Sequence, residues 1–548
     1  MLAVAVAAVS AACAAGLLTV LASEAGLRLF PDFRSREQKS GEYRRDVTTA
    51  AAAGSSRLPS VVGPAMLLAL TVVVLAAAWV WRAGAPSMLY LLGLCWLETL
   101  LGWLDDLRKS RGQGLSERSR LAAHLAIAVL AAVFYAVLGF GRHASVAGQI
   151  VAAVIVGVAF LYIVLSAGFS DGVDGLTVSL TGITGLAYVV LGVWWSAEAL
   201  GLTAGAVAGV ALGALVVNAP SNWTRTGMAR RRARGYIGDS GALLAGAAVA
   251  GLAITSGTLA LLPLLAAGFV LEGGSVFLQT GLLVPLFRRG LRPRRFRDSP
   301  TLVPHTDFPL PFLATPLHHH LNLAGLQPLQ VGATFWLIQG CAAILGLAAA
   351  AIAPPLARAG LWVAGVGAVL MVTVVMAGAK PQFLTKDETS GDLRLCRGLP
   401  LQLWRLRLYR DAERAPGVQA AGCVVPWLDR PLHRYDCLCL AALAAADQGA
   451  SDAATRLIRR VPTLNLLLRP EAALLVAQQA DQRDELVTVV QTWRSALRQV
   501  YQEGRVDLLL SDLSGLADAR HEPALADALR GQIRGTSPPD GASTRVCP

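Results

Sequence analysis

The sequence predicts an all-α fold: a polytopic membrane protein with about eleven transmembrane helices plus a C-terminal soluble helical domain. Three observations carry this reading: an unusually apolar composition, apolar runs that recur at the length of a bilayer crossing, and a one-sided distribution of Lys and Arg between the runs. Of 548 residues, 54% are hydrophobic and only 15% charged. The mean hydropathy is +0.53, too high for an ordinary soluble chain.

The runs lie near residues 2–22, 61–81, 86–104, 121–140, 147–169, 177–196, 202–219, 240–257, 260–286, 331–353 and 361–379. Each can cross a hydrocarbon core of roughly 30 Å as a helix, which satisfies its own backbone in lipid. The first run has no basic segment before it and no convincing cleavage site, so it is expected to stay as a transmembrane helix.

Orientation follows from the basic residues, because Lys- and Arg-rich loops stay on the cytoplasmic side. One set of loops carries Arg28 to Arg57, Arg108 to Arg120, Arg225 to Arg234 and Arg288 to Arg297, while the alternate set shows only Arg82, Arg142 and Arg358. The N-terminus is therefore expected outside, and an odd number of spans places the tail inside. The net charge of +12 sits in short loops that also hold carboxylates, which argues for membrane topology and an anionic substrate and against nucleic acid. Eight cysteines are scattered, and Cys437 and Cys439 form C-x-C without a partner pair, which disfavours a zinc site.

Residues 1–353 are read as a membrane domain of ten spans and 354–379 as an additional span. Residues 380–534 are read as a cytosolic helical domain of unknown role, with helical hairpins over 436–459 and 470–501, and 535–548 as a disordered tail.

Ionisable residues at the ends of membrane helices are costly and need a reason. Asp105 and Asp106 close the third run, with Lys109 one turn beyond Asp105; the plain alternative is an ordinary charged helix end. Asp171 and Asp174 are three apart in SAGFSDGVDGLT, so both face one side if the segment is helical, whereas a solvated turn is the alternative. Asp239, in GYIGDSGALLAG, stands where a helix start suits a metal-bound phosphate or where a carboxylate simply caps the helix. Glu272 lies inside the ninth run in LEGGSVFLQTG, with a structural role at least as well supported as a catalytic one. His318, His319 and His320 are consecutive, and adjacent positions do not converge on one ion, so phosphate or sugar binding is the better reading. Five aspartates and three histidines on one membrane face, amid an Arg surplus, argue for one site and for phosphoryl transfer.

The order of the strings, DDLRK, DGVDGL, GDSGAL, EGGSVFLQ and TPLHHHLNLAG, resembles the phospho-MurNAc-pentapeptide transferases within the polyprenyl-phosphate N-acetylhexosamine-1-phosphate transferase superfamily. The likeness covers about residues 1–353, and the histidine triplet points to the MurNAc-pentapeptide branch. The resemblance implies that UDP-MurNAc-pentapeptide and undecaprenyl phosphate react to give the lipid-linked phosphosugar and UMP, with Mg²⁺ as cofactor. It also implies a bacterial inner (plasma) membrane location, a cytoplasmic active site and no nucleic-acid partner; a homodimer is a further expectation. Carried over by motif, Asp105, Asp106, Asp239 and His318 form the catalytic set. Asp105 deprotonates or orients the lipid phosphate, Asp106 supports the site and Asp239 binds Mg²⁺. Lys109 binds a phosphate, Asp171 and Asp174 line the nucleotide pocket, and His318, His319 and His320 contact the diphosphate or sugar. Asn218 matches the family's asparagine ahead of the metal aspartate, with Asn222 as the alternative.

The chain departs from the family in carrying Leu165 and Gly168 where asparagines stand before the second box. It shows RLPSVVG, with Arg57 as substitute for a lysine, in the first cytosolic loop, and it has insertions at 221–235 and 291–311. Two other readings stay open: transfer of GlcNAc-1-phosphate to a polyprenyl phosphate, and a catalytically degenerate membrane scaffold. Retention of all the costly charges argues against the scaffold. Their position at one face, away from the midplane, argues against a transporter.

Overall fold

The computed structural model describes residues 1–30, 59–110, 114–139, 145–218, 234–283, 312, 315–323, 326, 328–352, 362–363, 365–367, 382–387, 390–403, 406–419, 424–425, 428–429, 434–461, 466–467, 470–478, 483–498 and 503–533. They divide between two compact units, one within residues 1–380 and one beginning at residue 381.

The first unit is built from α1 (Leu2–Leu29), α2 (Val62–Val80), α3 (Ala85–Ser110), α4 (Glu117–Leu138), α5 (Val146–Ser170), α6 (Leu176–Trp194), α7 (Glu198–Asn218) and α8 (Gly238–Thr255). After these come α9 (Leu262–Leu265), α10 (Ala267–Val276), a π-helical turn (Phe277–Leu283), α11 (Leu317–Leu323) and α12 (Pro328–Ala351). Among the described residues, nine helices are long and apolar enough to cross a membrane, or ten if one bent pair counts as a span. These ten coincide with the first ten predicted runs. Apart from a few helical residues at 362–367, the eleventh run lies outside the described residues, as do Arg57, Asn222, the 291–311 insertion and the 535–548 tail.

The ninth run differs from a straight span: Leu259–Leu265 and Ala267–Gly281 meet at 88°. Ala266 leaves helical geometry at φ −127°, ψ 34°, and a break in lipid is tolerated only where the freed backbone groups find partners. Gln339 of α12 supplies them. Its Oε1 accepts from the Gly268 N–H at 2.7 Å, and its Nε2 donates to the Leu265 carbonyl. Thr184 donates to that same carbonyl at 2.9 Å.

Packing rests on small residues. Gly201, Gly205, Gly209 and Gly213 recur every fourth residue on α7 and lie against Val4, Ala8, Ala12 and Gly16 of α1, at the same interval. A Cβ on Gly205 or Gly209 would overlap the Ala8 or Ala12 carbonyl oxygen, the close backbone approach that membrane helices use in place of a hydrophobic driving force. Helix α8, the most enclosed span, packs on α2, α3 and α5. Exposed Trp79, Trp194 and Trp195 stand at the ends of α2 and α6 remote from the start of α8, where an interfacial aromatic belt belongs.

The second unit adds an antiparallel sheet, order β1 (Gln382–Lys386), β2 (Asp392–Leu403), β3 (Leu406–Gln419), to the helical domain read from the sequence. The first predicted hairpin appears as α13 (Arg434–Asp447) packed on α14 (Ser451–Ile458); over the second, α15 (Pro470–Ala477) and α16 (Arg483–Arg498) are helical but pack on other helices of the unit, α15 on α13 and α14. Two more helices, α17 (Glu503–Ala519) and α18 (Pro523–Arg530), complete it. The sheet corrects the purely helical expectation; the alternation of Leu393, Arg394 and Leu395 is the period-two signature of a strand.

Candidate active site

Helix α3 carries Asp105, Asp106 and Lys109 at its C-terminal end. Lys109, one turn after Asp105, places Nζ 3.1 Å from Asp105 Oδ2 and 2.5 Å from Asp239 Oδ2 at the start of α8. The Leu115 N–H donates to Asp105 Oδ1 at 2.7 Å, and Arg120 Nη1 lies 3.4 Å from Oδ2. Asp105 is thus enclosed by donors with 2% of its side chain exposed, whereas Asp239 keeps 31%.

Asp106 turns the other way. Its carboxylate accepts from the backbone N–H groups of Asp239 and Ser240, both at 3.3 Å, and from Ser240 Oγ at 3.2 Å. The residue before α8, Ile237, provides no side-chain cap. Asp106 therefore satisfies the orphan donors of α8 from a different helix. Asp239 sits in the first turn and is not the N-cap. Gly238 adopts φ +66°, and a Cβ there would lie 2.5 Å from Asp106 Oδ2, so only glycine admits the carboxylate.

The DGVDG segment is a turn between α5 and α6, so the helical facing expected of Asp171 and Asp174 does not form. Helix α5 stops at Ser170, and Gly175, at φ +80°, starts α6. The Tyr236 hydroxyl donates to Asp171 Oδ2 at 2.6 Å. Asn218, the last residue of α7, is buried; its Oδ1 accepts from the Gly175 N–H at 2.8 Å and its Nδ2 donates to the Gly235 carbonyl at 3.2 Å. Expected at the substrate, it braces the turn against the segment leading into α8. Desolvation, reinforced by the neighbouring carboxylates of Asp239, Asp106 and Asp174, holds Asp171 well above the usual carboxylate range despite the Tyr236 bond. Desolvation alone pushes Asp174 up to about 6, and desolvation with the Asp171 charge raises the Tyr236 phenol.

The histidine triplet lies on α11 and does not act as one group. The His318 N–H donates to Glu272 Oε1 at 3.2 Å and Nδ1 lies 3.2 Å from Oε2. Its ring packs on Gly172, where a Cβ would stand 2.9 Å from Cε1. Burial takes His318 down to about 3, so the imidazole is neutral. His320 is buried with its ring edge-on to Phe312, and His319 alone keeps partial exposure, its ring tilted over His318 at 4.1 Å.

The separate strings therefore converge: Asp105, Asp106, Lys109 and Asp239 meet directly, Tyr236 links Asp171 to the start of α8, and Gly172 links the turn to His318. Tyr236 and Ser240 were not singled out from the sequence, although both lie in GYIGDSG; no pattern marked them, because their roles depend on helices α3 and α5. Glu272, left open, proves to be the group that orients His318. Among the described residues, no three His, Cys, Asp or Glu side chains group closely enough to cage a metal. A hard cation held by one or two carboxylates and completed by substrate phosphates does not require such a cage.

A family model described as glycosyl transferase family 4 matches residues 88–257, from α3 through α8. The chain is 31% identical to a phospho-N-acetylmuramoyl-pentapeptide-transferase of Moorella thermoacetica, over 57% of this chain and 90% of the relative. It is 30% identical to that of Mycolicibacterium paratuberculosis, over 52% and 78%, and 29% identical to that of Rhodococcus jostii, over 49% and 76%.

Proposed function

The chain belongs to the phospho-N-acetylmuramoyl-pentapeptide-transferase family, and from that premise we propose that it transfers phospho-MurNAc-pentapeptide from its UDP derivative to undecaprenyl phosphate, releasing UMP, as the first membrane step of peptidoglycan synthesis. The junction of Asp105, Lys109 and Asp239 is the observation that supports this most. A single ammonium joins two carboxylates of different helices at the end of a membrane bundle, a cationic and acidic arrangement suited to phosphates.

A phosphate oxygen of the lipid attacks the β-phosphorus of the donor, the bond from that phosphorus to the bridging oxygen breaks, and UMP leaves. Asp105 orients the acceptor phosphate and takes its proton where it carries one. Lys109 offsets the charge of the phosphates. Asp106 is a positioning residue that seats the start of α8, and through it Asp239. Asp171 and Asp174 line the donor side, and neutral His318, fixed by Glu272, presents its ring to the turn that carries them. His319 and His320 flank the diphosphate or sugar, with Asn218 behind the turn. The oxygen donors of Asp239 suit Mg²⁺, which would neutralise developing charge on the diphosphate. The site faces the cytoplasm of a bacterial inner membrane, as the basic loops suggest.

A UDP-GlcNAc donor is the second reading, since Leu165 and Gly168, in place of the family's asparagines, leave the donor side without the family's contacts. Purified protein with undecaprenyl phosphate, Mg²⁺ and either donor distinguishes them: UMP release with UDP-MurNAc-pentapeptide is expected, and silence with both donors overturns the enzyme. Protease accessibility of the tail in inverted vesicles tests the orientation.

A further inference from the structure

The two helices that meet at Asp105 share a second polar contact within their apolar length. Glu98 lies two turns before Asp105 on α3, and His124 one turn after Arg120 on α4; His124 Nδ1 is 2.8 Å from Glu98 Oε2. Glu98 is 0% exposed, and its Oε1 has no hydrogen-bond partner among the described residues. An ionisable pair inside a span is expensive, and well-packed apolar side chains join helices at lower cost. Stability does not account for it.

Helix α4 shows what the contact accomplishes. Leu121, Leu125, Val129, Val133 and Val137 are each at least 50% exposed, so α4 has much of its surface turned away from the bundle. It meets α3 through three polar rungs: Asp105 with Arg120 at 3.4 Å, Glu98 with His124 at 2.8 Å, and the Tyr90 hydroxyl donating to the Ala131 carbonyl at 2.9 Å. Apolar surfaces slide, whereas a directional hydrogen bond in apolar surroundings fixes register. A slide of one residue moves Arg120 by about 1.5 Å along the axis, enough to take it off Asp105.

We propose that Glu98 and His124 are positioning residues: their hydrogen bond sets the register of α4 on α3 and thereby holds Arg120 at Asp105, where the acceptor phosphate is received. The acceptor part rests on the transfer reading above; the register part does not.

Two readouts separate them. In turnover, Glu98→Leu and His124→Leu each raise KM for undecaprenyl phosphate by roughly tenfold or more and leave KM for the UDP donor unchanged. Glu98→Gln, which keeps an oxygen acceptor for Nδ1, stays near the parent value. Nitroxide labels on Leu104→Cys and Leu121→Cys, both at exposed positions, read the register without turnover: the distance distribution shifts or broadens in Glu98→Leu and returns in Glu98→Gln. An unchanged distribution in Glu98→Leu overturns the proposal, as does an equal rise in both KM values. If the parent releases no UMP but its register still depends on Glu98, the transfer reading fails and the positioning stands.

Discussion

Lys109 Nζ lies 2.5 Å from Asp239 Oδ2, across 130 residues of sequence, and fastens the last turn of α3 to the first turn of α8. Lys109→Met and Asp239→Asn are each expected to lower UMP release by about a hundredfold or more, with thermal unfolding in detergent close to that of the parent. Because both act on one contact, the double substitution should cost well under the product of the two effects. Strictly multiplicative losses in that cycle would show that the residues act separately.

Asp106 should behave differently from its neighbour. Asp106→Ala removes the acceptor for the first N–H groups of α8 and is expected to destabilise the protein by about 1 to 2 kcal/mol, the usual worth of a helix cap, besides lowering turnover. Asp105→Ala should lower turnover without comparable loss of melting temperature. Equal melting temperatures for the parent and Asp106→Ala would remove the capping role.

Stability should respond to pH through two groups of opposite sign. His318 is held at about 3 in the fold, below about 6.5 for a free imidazole. The unfolded chain therefore binds the extra proton between those values, and this contribution is complete above about pH 6.5 and lost as pH falls toward 3. Asp174, at about 6 against about 3.9 when free, binds its proton more tightly when folded, so its contribution is lost as pH rises from about 4 through 6. Melting curves in detergent should show His318→Gln less sensitive than the parent to acidification from pH 7 to 5. They should also show Asp174→Asn melting above the parent at pH 8, with the gain gone at pH 4; a gain that persists at pH 4 would assign it to something other than the proton.

Gly209→Leu is expected to abolish the monodisperse folded yield, since its first side-chain carbon already overlaps the Ala12 carbonyl oxygen. Gly340→Ala, which meets nothing within 4 Å, should purify like the parent. A normal yield of Gly209→Leu would mean that α1 is not seated on α7 as described.

Much of the membrane unit was legible because its signals are local: a span is announced by the apolar residues that compose it, and ten runs match. The carboxylates stood out because charge at a helix end in lipid demands compensation. What escaped depends on partners remote in sequence. Asp105 and Asp106 are adjacent and chemically identical, and Lys109 one turn on marks only the first; that the other caps α8 is invisible in DDLRK, because the N–H groups it accepts from, those of Asp239 and Ser240, lie 133 and 134 residues away. The HHH string reads as three contacts to phosphate or sugar, but the helical turn of α11 buries His318 and His320 and leaves His319 partly exposed. In the second unit, the strands at 382–419 carry a local signal, the Leu and Arg alternation of β2, shorter than the helical spacing that dominates the rest of the domain.

The corner in the ninth span has a consequence for recombination between relatives. Its geometry is written partly in α12, where Gln339 holds the freed groups of Leu265 and Gly268, and partly in α6 through Thr184. A chimera that exchanges residues 259–281 alone inherits the bend without its fastenings, whereas one that exchanges 259–351 with Thr184 retained carries them along. The heritable module is thus a scattered set of positions, and crossover points placed in loops do not respect it.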